Sequence, residues 1–309
     1  MSRVLSGEVA VAALWASWGP ARADSRDPHP GDCGSGPSTN ASGRGKLTHR
    51  EALRVVGLTA SGQLVCFSDR KPHRASVIGT VGGFSGADVR LVGMDFRPQD
   101  GLLYGVGNAG GLYLVDTGSA MLTPVGQLST APDAAATAFG ADFNPAANAL
   151  RIVSNTGQNL RQSFANLGTA NPLAPTAVDG TLGYTAAAAP GPTAPGIVGT
   201  AYTNNDLAAV TATSLFVLDA NLRQVALQSP ANAGFLVATG QLGVMASAGG
   251  FDIYSILRKD VTVTQRALAS LWVDGRAQLY SIDLLTGRAY PRGEIGAAVV
   301  DIAVPLNQF

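Results

Sequence analysis

Four aspartates stand at one point of a pattern that recurs along the chain: Asp95, Asp142, Asp252 and Asp301. In the two clearest copies, Val92-Gly93-Met94-Asp95-Phe96-Arg97-Pro98 and Phe139-Gly140-Ala141-Asp142-Phe143-Asn144-Pro145, the aspartate follows Gly-x and precedes Phe. Gly249-Gly250-Phe251-Asp252-Ile253 and Val299-Val300-Asp301-Ile302 are weaker copies, and in Val198-Gly199-Thr200-Ala201-Tyr202 an alanine takes the place of the acid. If the fold brings these carboxylates to one level, they could hold a hard cation such as Ca²⁺, which takes many oxygen ligands. A hydrolase or lyase could use such an ion. Equally, a buried aspartate that recurs in every repeat can accept backbone N–H groups of the neighbouring repeat.

A second polar group, Ser154 to Arg161, makes a hairpin whose second strand is unusually polar. Asn155, Gln158, Asn159 and Arg161 beside a channel mouth could recognise a saccharide, peptide or other small molecule by hydrogen bonds, although Asn and Gly also simply form turns. Asp69, Asp116, Asp219 and Asp283 each follow a short apolar strand, where an aspartate favours an Asx turn, so these read as structural. The chemistry that is missing narrows the field. The histidines, His29, His49 and His73, all lie early in the chain, and the glutamates are Glu8, Glu51 and Glu294. A Ser-His-Asp triad or a His-rich metal site in the later repeats is excluded. No nucleophile elbow or phosphate loop is present, because Gly82-Gly83-Phe84-Ser85-Gly86 has the wrong spacing for one.

The elements that must position these residues are short strands in repeating units. After each Asp-bearing strand (a) comes a second strand (b), as at 102–105, 150–153, 207–210 and 268–273. A third (c) follows, as in Gly111-Leu112-Tyr113-Leu114-Val115-Asp116, Ser214-Leu215-Phe216-Val217-Leu218-Asp219 and Gln278-Leu279-Tyr280-Ser281-Ile282-Asp283. A fourth (d) ends in Gly-x-apolar-Gly or a close variant. Strands this short cannot bury both faces alone, so four-stranded sheets must stack, and a ring of such sheets is a propeller. The chain enters with b-c-d near residues 53–81 and leaves with a lone a strand near 297–304. The reading is an all-β, five-bladed β-propeller-like ring of four-stranded antiparallel blades, closed by the N-terminal strands pairing with the C-terminal strand.

Several stretches resemble an exported bacterial propeller-like family known as domain of unknown function 4394. They are Gly93 to Pro98, Leu150 to Arg161, Ala201-Tyr202-Thr203-Asn204-Asn205 and Gln228-Ser229-Pro230-Ala231-Asn232-Ala233-Gly234. The resemblance covers roughly residues 50–305. It implies a propeller-like fold and export, and no established activity. Family members often carry Asp where this chain has Asn155.

Composition agrees with a folded, exported chain. Of 309 residues 46% are hydrophobic and 14% charged, enough apolar material for a large core and too little charge for disorder. With 21 Lys+Arg against 21 Asp+Glu there is no electrostatic reason to expect nucleic acid. Residues 1–23 read as a signal peptide, with Arg3, an apolar run from Val9 to Trp18 and a small-x-small site at Ala21-Arg22-Ala23. Residues 24–50 read as a flexible Gly/Pro/Ser-rich spacer and 51–309 as the propeller. Cys33 and Cys66 could pair in an oxidising compartment. The expectation is a secreted or periplasmic monomer without a membrane span. It would be a non-catalytic protein that binds a ligand or partner through one ring face. A Ca²⁺-dependent hydrolase or lyase and a cell-surface structural or adhesion module are the alternatives.

Overall fold

The computed structural model describes residues 52–185 and 192–308. The signal and spacer readings, together with Cys33, His29 and His49, lie outside the described residues. Strands are numbered in chain order. Blade 1 opens with β1 (Arg54–Thr59), β2 (Gln63–Ser68) and β3 (Lys71–Thr80). Blade 2 holds β4 (Leu91–Phe96), β5 (Leu103–Gly107), β6 (Gly111–Val115) and β7 (Leu122–Gln127). Blade 3 holds β8 (Phe139–Asn144), β9 (Ala149–Ser154), β10 (Asn159–Ser163) and the two-residue β11 (Ala177–Val178). Blade 4 holds β12 (Gly183–Tyr184), β13 (Ile197–Tyr202), β14 (Leu215–Asp219), β15 (Gln224–Gln228) and β16 (Phe235–Gln241). Blade 5 holds β17 (Gly249–Arg258), β18 (Val261–Val273), β19 (Arg276–Ile282) and β20 (Ala289–Glu294), and β21 (Val299–Ala303) returns to blade 1.

The sheet order β21-β1-β2-β3 is the expected ring closure. β21 pairs antiparallel with β1, with Val56 opposite Ala303 and Leu58 opposite Asp301. Gln308 reinforces the join: its Oε1 accepts the Arg54 N–H at 2.8 Å and its Nε2 donates to the Arg54 carbonyl at 3.0 Å. A closed ring leaves no inner edge strand for another chain to add to.

Burial falls from the hub outward. Every residue of the a strands β4 and β13 is buried, whereas each of the d strands β7 and β20 keeps a single buried residue. An a strand is covered on both faces by the neighbouring blades, so it reads as a near-continuous apolar run instead of an alternating one. The apolar clusters lie between blades. Leu64 and Cys66 of blade 1 meet Met94 and Tyr113 of blade 2. Tyr104 of blade 2 meets Phe143 and Phe164 of blade 3, with edge-to-face ring centroids 5.7 and 5.4 Å apart. Clusters of similar size join blades 4 and 5 and blades 5 and 1, and a smaller one joins blades 3 and 4. Cys66 is disulfide-bonded.

Blade 4 departs from the expected strand assignment. Leu207 to Val210 is a loop, and Leu215–Asp219 pairs directly with β13, so it is strand b and not strand c. Gln224–Gln228 is strand c, and β12 adds a fifth, parallel strand outside β16. The reason is packing. Leu215, Val217 and Leu218 are almost fully buried, while Leu207 and Val210 are 57% and 91% exposed. No helix among the described residues is long and apolar enough to cross a membrane.

Candidate functional site: the hub and its two mouths

The Gly-x-Asp pattern has a steric origin at the hub. A Cβ on Gly93 would come within 2.6 Å of the Ala141 Cβ in the next blade, and one on Gly140 within 2.6 Å of the Thr200 nitrogen. Glycine at this point lets adjacent a strands approach closely. The aspartate two residues on then reaches the neighbouring backbone. Asp301 accepts the Met94 N–H at 3.0 Å, Asp95 that of Phe143 at 2.8 Å, and Asp142 that of Tyr202 at 2.8 Å. Asp252 accepts the Val304 N–H and so ties blade 5 to blade 1. Between blades 4 and 5, where Ala201 replaces the acid, Asn205 makes the clasp. Its N–H donates to Ser255 Oγ and its Nδ2 to the Ile253 carbonyl, each at 2.9 Å. Sequence reading missed this role, because Asn205 lies beyond the strand that lost its aspartate.

Three of these four carboxylates also converge across the channel, while Asp301 stands outside the group. One oxygen from each of Asp95, Asp142 and Asp252 lies within 4.8 Å of the others, and all three side chains are buried. Burial, with the neighbouring acids adding to it, pushes Asp95 and Asp142 well above the ordinary carboxylate range. Burial likewise raises Asp301, and it pushes Asp252 up to about 6. Three like charges this close cannot all ionise without a counter-charge, so the cluster either shares protons or holds a cation. The oxygens that accept backbone N–H groups keep a second lone pair. The donor set therefore fits a hard cation as first ligands, while Ca²⁺ would need further oxygens.

The polar hairpin of blade 3 divides in two. Asn155 and Gln158 brace the loop leading into β8: Asn155 Oδ1 accepts the Thr137 N–H at 3.0 Å, and Gln158 Oε1 accepts that of Asp133 at 2.8 Å. Asn159 and Arg161 join a different group. Arg151, 1% exposed, donates to Asn159 Oδ1 at 2.8 Å, Asp179 Oδ2 at 2.6 Å and Asn232 Oδ1 at 2.7 Å. Arg161 reaches the same Asp179 at 3.0 Å. The network thus joins residues from 150–161 to the segment 228–234 across the seam between blades 3 and 4. Of the other aspartates, Asp116 and Asp283 form the expected Asx turns. Asp69 instead accepts the Leu53 N–H and pairs with Arg266, and Asp219 ends strand b, where it accepts the Leu222 N–H and the Tyr184 hydroxyl.

The channel opens differently at its two ends. Where the d–a loops gather, a recess of about 100 Å³ is lined by Arg90, Thr137, Ala138, Ala248 and Val300. Where the a–b loops gather, the recess is about 390 Å³ and is lined by Pro98, Asn205, Leu207, Leu257, Val261 and Leu306. The difference comes from β17 and β18. Their hairpin runs on past Ala267, where pairing with β19 ends, and forms a wall on that side.

A family model for a domain of unknown function, DUF4394, matches residues 63–303. The chain belongs to this family. The match takes in the Gly-x-Asp strands of blades 2, 3 and 5, the blade 3 hairpin and β21. No curated protein matches the chain. Among solved structures, a nidogen/laminin complex is similar at 10% identity, covering 84% of this chain and all of that one, with a TM-score of 0.40. A protein of unknown function from Bacteroides thetaiotaomicron is similar at 13% identity, covering 85% of this chain and 67% of that one, with a TM-score of 0.44. BamB from Moraxella catarrhalis is similar at 14% identity, covering 76% of this chain and 57% of that one, with a TM-score of 0.33.

Proposed function

We propose that this family member is an exported, non-catalytic propeller that binds a small ligand or partner through one face of its ring, the face where the a–b loops open. The observation that carries this reading is the recess of about 390 Å³ at that end, to which residues from four blades contribute. Its volume suits a small molecule. Its lining combines apolar Leu207, Leu257, Val261 and Leu306 with polar Asn205, Asp206 and Lys259, which suits an amphipathic one. The test is equilibrium binding of an anilinonaphthalene sulfonate dye to the folded chain from residue 24 onward. Saturable binding that weakens about tenfold or more in Ala208→Trp, which fills the recess, supports the reading. Absence of saturable binding, or binding indifferent to that substitution, sinks it.

The convergence of Asp95, Asp142 and Asp252 supports a second reading, in which the channel holds Ca²⁺ and serves a hydrolase or lyase. Calcium at about millimolar concentration should then raise the melting temperature by linkage, and Asp142→Ala should abolish the rise while keeping the fold. No shift at millimolar calcium removes the ion from the hub and leaves the binding reading standing alone.

A further inference from the structure

Among the described residues, the whole-chain charge balance conceals a local excess. Arg70-Lys71-Pro72-His73-Arg74 runs into β3, the outer strand of blade 1, and Arg70, Lys71, His73 and Arg74 are all exposed. The run does not lie flat on its neighbour. Ser68 faces Lys71 and Cys66 faces Ser76, so Pro72 to Ala75 bulge out opposite the single residue Phe67. The bulge leans across the seam onto blade 5. The Pro72 carbonyl accepts the Gly296 N–H at 3.1 Å, and the Pro72 ring lies 3.4 Å from where a Gly293 Cβ would be. This places the run beside β20, on which Tyr290 and Arg292 are exposed and Arg288 lies 5.7 Å from the Tyr290 ring centroid. Burial lowers the pKa of Arg266 beneath them, and the charges of Arg292 and Arg70 add to that against the pull of Asp69. Asp69 itself is fully buried and engaged by Arg266, so it does not neutralise the surface cations. Glu294 is paired with Arg276 at 3.0 Å.

We propose that this seam between blades 5 and 1 binds an anionic polysaccharide, whose carboxylate or sulfate groups are held by Arg70, Lys71, Arg74 and Arg292. The cations are exposed on the rim of the ring and not enclosed, so they suit a chain that meets several of them at once better than a small anion. Guanidinium forks match carboxylate and sulfate oxygens in pairs. A nucleic acid fits less well. Single-strand binding uses successive bare aromatic rings, and here the exposed phenol ring of Tyr290 already has a guanidinium over it. The surface is separate from the a–b mouth, so this inference does not depend on the function proposed above.

The test uses the chain from residue 24 onward with heparin and a polyuronate as probes. Saturable binding is expected at low salt, weakening about tenfold or more between roughly 50 and 200 mM salt. The triple variant Arg70→Glu/Arg74→Glu/Arg292→Glu should lose at least about tenfold in affinity with an unchanged melting temperature. Arg90→Glu/Arg223→Glu, which alters exposed charge in blades 2 and 4, should bind as the parent does. If the triple glutamate variant fails to fold, glutamine at the same positions serves, with the same loss expected. The proposal is overturned by absence of binding or by equal binding in the seam variants. Tighter binding to single-stranded DNA or to anionic phospholipid vesicles than to either polysaccharide also overturns it.

Discussion

Raising the pH from about 5 to about 8 in the absence of divalent cations is expected to lower the melting temperature by several degrees. The hub aspartates cause this. Their folded pKa values lie above the unfolded value, about 3.9 for an aspartate. A group of this kind binds protons more tightly in the folded state. The stability it contributes is full below the unfolded pKa and is lost as pH rises through the folded pKa. For Asp252, raised to about 6, the window runs from about pH 4 to just above pH 6, and the loss is about 3 kcal/mol. Asp95, Asp142 and Asp301, raised further, extend the loss upward in pH. About half of that loss falls above pH 5, so at roughly 2–4 °C per kcal/mol for a ring of this size Asp252 alone accounts for about 3–6 °C between pH 5 and 8. Asp142→Asn should flatten the profile. Its amide oxygen still accepts the Tyr202 N–H, and its neutral head group removes one like charge from beside Asp95 and Asp252. The variant should melt higher than the parent at pH 8 and close to it at pH 5. Thermal unfolding across this pH range decides the matter: a flat or rising parent profile would show that the hub carboxylates stay ionised and are compensated.

Arg151→Met is expected to cost about 3–5 kcal/mol of unfolding free energy in urea titration, whereas Arg161→Met should cost under about 1 kcal/mol. Both arginines touch Asp179, and environment separates them. The Arg151 side chain is 1% exposed and that of Arg161 is 35% exposed. Without Arg151, the buried Asp179 carboxylate keeps only a solvent-screened partner, and the side-chain oxygens of Asn159 and Asn232 lose a charged donor. The seam has little else to fall back on. The cluster between blades 3 and 4 holds fewer buried apolar residues than the other inter-blade clusters. Equal costs for the two substitutions would mean that the two arginines hold Asp179 alike and that the burial of Arg151 adds nothing to its contribution.

Both expectations rest on residues that the sequence displays without explaining. The self-similarity of 92–98 and 139–145 determined the repeat, and the split phase at the two ends determined closure, because a ring of short strands must pair its first strand with its last. The a-strand aspartates were visible for the same reason: a repeat returns to the same geometry, so the same residue returns with it. Blade 4 shows where local pattern fails. Leu207 to Val210 is as apolar as a strand, and only the packing of Leu215, Val217 and Leu218 between blades decides that the later segment pairs with β13. The aspartates' direction was likewise undecidable along the chain. An a-strand side chain can point to the axis or to the next blade, and here the carboxylates do both, accepting backbone N–H groups while meeting across the channel. Pairings between distant positions, such as Arg151 with Asn232 or Asn205 with Ser255, depend on which blades become neighbours. The balanced charge of the whole chain hid the Arg70 to Arg74 run, whose meaning needed β20 alongside it, and only ring closure puts blade 5 next to blade 1. Local chemistry and its periodicity are written in the order of residues. Contacts between blades are set by how the ring closes, because each blade meets its neighbours through residues far apart in the chain.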